Sequence, residues 1–423
     1  MKSIIFLCRI LFTFLFIVIS AVVAGGEPQS TLKKPAGKLL NKESLVYEGA
    51  FRLPHDRYGS SSFDYGGTAI TYYSAHNSLY LVGHNSQQNV AEIAVPEIKK
   101  GDAVSDLSIA KVLQPFSDIT NGNKNKILKN NEIYEGDQVK IGGLLVYDDS
   151  LIGTVYGYYD AGGRAFLSHF ISGTNFEKGY EFKGMYKVGE TNQSSFVSGY
   201  MANIPKEWQP FLGGSALTGN AALSIIGRTS FGPSVFVFNP HDLGLKNPVP
   251  AKPLVYYPSA HPTLGKYDET NPNFNGTTTI KGVVFPVGSR SILFFGSHGT
   301  GKYCYGIGGK DGHCVDPANS NKGDHGYPYK YQVWAYDVDN LLRIRKENKN
   351  PWDATPYAVW NFDLPFQPEF RQILGAAYDP SSQRIFLSQY HGDNEFPVIH
   401  VFRISLDSDR GKMPAYLTLP PKN

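Results

Sequence analysis

Apolar runs of about four to eight residues, separated by Gly, Asn, Asp and Pro, fill the chain from Leu45 to Ile404. They are rich in Val, Ile, Tyr and Phe, which suit a pleated, half-buried surface, so they read as strands. Helical spacing is scarce, and Asp339–Glu347 is the best stretch for a short helix.

The runs recur in groups. A glycine followed by apolar residues opens each group: Gly67 ("GGTAITYY"), Gly143 ("GGLLVYDD"), Gly214 ("GGSALTGN"), Gly282 ("KGVVFPVG") and Gly375 ("LGAAYDPS"). Three further runs follow each of the first four entries. In the second group they are "LIGTVYG" (151–157), "AFLSHFI" (165–171) and "YEFKGMYKV" (180–188). In the third they are "LSIIG" (223–227), "SVFVF" (234–238) and "KPLVYYP" (252–258). Four antiparallel strands repeated five times predict an all-β fold, a five-bladed β-propeller. Six blades and a β-sandwich are the alternatives. The glycines fit the strand nearest the axis, where blades crowd. The fifth group has three runs of its own. The N-terminal "LVYEGAFRL" (45–53) resembles the fourth runs and is expected to close the ring, with "AYLTL" (415–419) outside it.

The ends add context. Lys2 and Arg9 flank an apolar stretch ending in "AVVA", which reads as a cleaved signal over 1–24. Residues 25–42 read as a flexible leader, and 43–423 as one propeller domain with a lid-like insertion at 299–331. No other segment approaches a membrane span. With Cys8 in the signal, Cys304 and Cys314 are expected to form a disulfide in a secreted or periplasmic protein. A net charge of +3 without a long basic run argues against nucleic acid. The chain is expected to be monomeric. Sequons stand at Asn192 and Asn275.

Chemistry belongs on the face carrying the long loops, which are the blade entries and the connections between second and third strands. His84, His298 and His391 occupy nearly equivalent loop positions in units one, four and five. They are candidates for a shared divalent cation, with Asp393 as a carboxylate partner. Alternatively they bind a small polar ligand, a glycan, together with Tyr159, Arg164 and Arg228. No cofactor beyond that cation is suggested. Asp64, Asp137 and Glu369 in the entry loops are the candidate carboxylates for glycoside hydrolysis or elimination. Trp208 lies in the expected third entry. The insertion holds Asp311, His313, Asp324 and His325, a weaker metal candidate. No nucleophile elbow or zinc-protease motif occurs. The favoured reading is an exported propeller that binds a polar ligand at its axial opening. A glycoside hydrolase or lyase, and a non-catalytic adhesion propeller, are the alternatives.

Overall fold

The computed structural model describes residues 33–135, 139–177, 181–190, 194–220 and 228–406. The expected signal segment, Asp137, Asn192, the run 223–227 and the run 415–419 lie outside them.

Five four-stranded antiparallel sheets make the propeller. Strand β1 (Leu45–Arg52) comes first in the chain. Blade one is β2 (Ile70–Tyr73), β3 (Ser78–Val82), β4 (Val90–Ala94) and β5 (Val112–Ser117). Blade two is β6 (Val139–Tyr147), β7 (Ser150–Gly157), β8 (His169–Gly173) and β9 (Lys183–Tyr186). Blade three is β10 (Met201–Asn203), β11 (Ala216–Thr218), β12 (Val235–Phe238) and β13 (Ala251–Val255), with the short helix α1 (Gln209–Leu212) after β10. Blade four opens with β14 (Thr279–Val284) and β15 (Ser291–Gly299). A separate hairpin follows, β16 (Cys304–Ile307) and β17 (Lys322–His325). The blade resumes with β18 (Tyr329–Asp337), then helix α2 (Val338–Lys346) and β19 (Ala358–Phe362). Blade five is β20 (Ile373–Asp379), β21 (Arg384–Asp393) and β22 (Phe396–Ile404). Its outer strand is β1, paired antiparallel with β22 from Leu45↔Ile404 to Arg52↔Val398. The N-terminal strand thus closes the ring, as its sequence predicts. The inner strands β2, β6, β10, β14 and β20 touch one another in a circle.

One strand assignment is corrected. The run entered at Gly214 is the second strand of blade three, because β11 pairs with both β10 and β12. The inner strand is the three-residue β10, and its entry glycine is Gly199. A methyl group on Gly143 of blade two would lie 2.1 Å from the Gly199 carbonyl oxygen, so the two backbones meet there. Gly213 has another task. At φ +79° it ends α1 in the left-handed conformation, and its N–H donates to Gln209 O. Trp208 moves with this correction. It is fully buried, and its indole N–H donates to Ser289 O in the turn between β14 and β15, at 2.9 Å.

Side chains alternate across each strand, so every blade feeds two interfaces. Leu144 packs against blade one and its neighbour Leu145 against blade three. Phe294 faces blade three, whereas Leu293 and Phe295 face blade five. Phe51 and Ile399 join Ile70 and Leu81 where blade five meets blade one. The core is therefore five apolar seams rather than one centre, and each seam needs both blades.

The leader is partly ordered, contrary to expectation. Leu40 is buried against blades four and five, its N–H donates to Ser291 Oγ, and its carbonyl accepts from Tyr357 Oη. The Cys304–Cys314 disulfide is formed. Asn275 is buried with its Oδ1 accepting from Thr277, so this sequon is closed to a glycan in the folded chain.

Candidate functional site

Entry loops and second-to-third-strand loops meet at one end of the ring. The Tyr65 N–H donates to Glu395 O at 2.8 Å, joining the entry of blade one to blade five. The His84 N–H donates to Ser62 O at 2.8 Å. Lys140 Nζ, at the start of β6, donates to Asn85 O at 2.6 Å. Arg228 Nη1 donates to Asp160 O at 2.6 Å, linking blades three and two.

Tyr65 is the centre of the richest cluster. The residue is 46% exposed, and its ring centre lies 5.8 Å from that of His84 and 5.5 Å from that of His391. Asp64 accepts a hydrogen bond from the Ser62 hydroxyl, and its Oδ2 lies 3.9 Å from His84 Nε2. The Ser86 N–H donates to His84 Nδ1 at 3.1 Å. A neutral His84 therefore carries its proton on Nε2, the atom facing Asp64. His391 stacks on Tyr390, and its Nε2 is buried without a hydrogen-bond partner among the described residues. Burial lowers the His391 pKa, opposed in part by the charge of Glu395. Tyr65 and His391 both adopt left-handed backbone, at φ +52° and +50°. Such conformations are costly for aromatic residues and concentrate at functional sites.

The loop carrying His84 is held rigidly. Gln88, itself at φ +60°, accepts from the Ile141 N–H at 2.6 Å and donates to Asn85 O at 2.7 Å. The Ser61 hydroxyl donates to Gln87 Oε1 at 2.6 Å.

Other expected site residues have different roles. His298 is fully buried in blade four. Its Nε2–H donates to Asn271 O at 2.7 Å, and its Nδ1 pairs with the Thr278 hydroxyl at 2.9 Å. Burial brings its pKa down to about 4, so the ring is neutral. The three-histidine metal centre is therefore corrected: His84 and His391 flank Tyr65, while both nitrogens of His298 are occupied in its own blade. Among the described residues, no three metal-ligating side chains converge. Asp393 is buried and binds Arg52 Nε at 2.8 Å and His55 Nε2 at 2.7 Å, fastening the end of β1 to β21. Arg164 lies over the Tyr134 ring and donates to Glu135 O. Tyr159 is exposed beside it in sequence, and Glu369 is exposed on its entry loop. Of the three candidate carboxylates, Asp64 alone is described within the histidine–tyrosine cluster.

The insertion is built around its own polar core. Buried Asp316 accepts from Tyr329 Oη at 2.5 Å and pairs with His325 Nδ1 at 2.8 Å. Asp324 accepts from Tyr267 and Tyr303 at 2.7 and 2.6 Å. These acids and His325 brace the stapled hairpin.

Sequence reasoning missed Lys140, a single lysine inside an apolar run, and Gln88. Nothing in a one-dimensional pattern marks either, because their roles come from contacts across a blade seam.

No protein-family model matches the chain, and no curated protein matches it. Solved structures align with most of the chain at low similarity. A glycosyl hydrolase from Bacteroides ovatus is 9% identical, with a TM-score of 0.39 over 87% of this chain and 94% of that one. A β-fructofuranosidase from Schwanniomyces occidentalis is 8% identical, with a TM-score of 0.40 over 84% of this chain and 58% of that one. The Cps50 (Swd1) propeller domain of Myceliophteria thermophila is 7% identical, with a TM-score of 0.30 over 85% of this chain and all of that domain. Likeness at this level carries no argument about chemistry.

Proposed function

We propose that this chain is an exported propeller that binds a glycan at the axial opening of its long-loop face, where blades five and one meet. The observation that carries the reading is the Tyr65 cluster. An exposed aromatic face offers a stacking surface for a sugar ring. His84 and His391 flank it, the His391 Nε2 having no hydrogen-bond partner among the described residues, and Asp64 supplies an acceptor. Apolar stacking bordered by a few fixed polar groups suits a polyhydroxylated ligand. The loops are pre-ordered by Gln88 and by the Tyr65–Glu395 backbone bond, which lowers the entropic cost of binding.

The test is a glycan panel screened with the purified protein, with and without chelator, followed by titration of the hits against Tyr65→Ala. The proposal expects at least one glycan to bind, insensitively to chelator, with at least roughly tenfold loss on Tyr65→Ala, or about 1.4 kcal/mol. A panel without hits, or hits indifferent to Tyr65, would remove its basis.

A further inference from the structure

The Tyr65 cluster has a charge as well as a shape. Asp64 Oδ1 accepts from the Ser62 hydroxyl. Asp64 Oδ2 has the His84 imidazole at 3.9 Å, beyond hydrogen-bonding distance. The Asp64 side chain is 30% exposed, so a ligand can reach the carboxylate. Glu395 stands exposed on the tip between β21 and β22, and its carbonyl oxygen holds the Tyr65 N–H at 2.8 Å. Two acids therefore border one half-exposed aromatic ring. Among the described residues, neither pairs with a lysine or arginine. Basic side chains of the neighbouring segments are engaged elsewhere. Lys140 is 5% exposed and donates to Asn85 O at 2.6 Å. Arg57 Nη2 donates to Ser60 O at 3.3 Å, and Arg52 binds Asp393.

A carboxylate beside an exposed tyrosine suits a cation. The acid supplies the opposite charge, and the ring quadrupole attracts an ammonium placed over its face. We propose that the glycan taken at this surface is an amino sugar whose nitrogen is unacylated, its ammonium paired with Asp64 while Tyr65 stacks on the sugar ring. The His84 Nε2–H, fixed in place by the Ser86 N–H on Nδ1, is the donor left for a sugar hydroxyl. This deepens the glycan reading and rests on it for the sugar. The ammonium itself rests on Asp64 and Tyr65.

The experiment titrates D-glucosamine, N-acetyl-D-glucosamine, D-glucose and tetramethylammonium into the full chain by calorimetry, at about pH 6, where a free amino group keeps its proton. Wild type, Asp64→Asn, Glu395→Gln and Tyr65→Ala are compared. Glucosamine is expected to bind at least tenfold tighter than either neutral sugar, with a preference that shrinks as salt is raised. Asp64→Asn should weaken glucosamine at least tenfold. Glu395→Gln, at an exposed tip, gives the same test through at least a twofold loss if Asp64→Asn fails to fold. Tyr65→Ala should weaken every ligand that binds. Glucosamine bound no tighter than the neutral sugars, or a preference indifferent to both acid variants, overturns the inference. The two proposals fail separately. A neutral sugar held by Tyr65, with no preference for the ammonium, overturns the amino-sugar inference and leaves the glycan reading standing. Tetramethylammonium held by Asp64 and Tyr65, with no sugar bound, supports the ammonium site and removes the glycan reading.

Discussion

His298 and His391 lie near the ends of the second strands of adjacent blades, β15 and β21, yet they have become different kinds of residue. His298 is fully buried beside the segment entering blade four, with both nitrogens matched and its ring neutral. His391 lies beside the half-exposed Tyr65, on left-handed backbone, with Nε2 unmatched among the described residues. What separates them is the company each keeps. Thr278 and the carbonyl of Asn271 reach His298, whereas His391 lies against the rings of Tyr390 and Tyr65 and feels the charge of Glu395. Position in the repeat sets where a side chain starts, and the loop segments that reach it decide what it does.

The largest test of this contrast is pH. His169, His298 and His400 are buried and neutral, with pKa values lowered by burial to about 3, 4 and 3. Unfolded histidines titrate near 6.5, so between about pH 6.5 and 4 the unfolded chain binds protons that the folded chain refuses. Stability is therefore full above about pH 6.5 and falls as pH drops through this window. The three together cost on the order of 4 kcal/mol per pH unit. Denaturant melts at pH 7 and pH 5.5 check this, and equal stabilities would show that these rings are not sealed.

Single substitutions sharpen the contrast. His298→Ala leaves an unfilled, polar-lined hole and should destabilise by about 2–4 kcal/mol. His391→Ala should cost under about 1 kcal/mol and weaken glycan binding instead. Chemical denaturation and calorimetry on both proteins separate the two effects. If His391→Ala were the more destabilising, the division between sealed and open histidines would be wrong.

The insertion sets a third level. Cys304→Ser with Cys314→Ser should cost about 2–3 kcal/mol by loop closure. Hydrogen exchange should rise in β16 and β17, while the Tyr65 loop and its ligand are unaffected. Loss of protection spreading into β2 or β21 would contradict the hairpin's independence.

Blade number, strand order and N-terminal closure were legible because each depends on repetition. Apolar runs at regular intervals have few ways to bury two faces, and only one N-terminal run matches the missing strand. Blade three was misread at Gly214 for a physical reason. Its inner strand, Met201–Asn203, is too short to show alternation, and Gly213 mimics an entry glycine while it caps a helix. Asp64, His84 and His391 come near Tyr65 because matching positions of adjacent blades meet at one end of the ring. Lys140 and the sealing of His298 were not legible, because both depend on partners about 20 to 60 residues away.

The most direct measurement is calorimetric titration of the best glycan from the panel into wild type, Tyr65→Ala and His298→Thr, the last after a melt shows it folded. The account predicts at least tenfold weaker binding for Tyr65→Ala and unchanged affinity for the blade-four variant. Equal affinity for wild type and Tyr65→Ala, or a loss confined to the blade-four variant, would contradict a site at the seam of blades five and one.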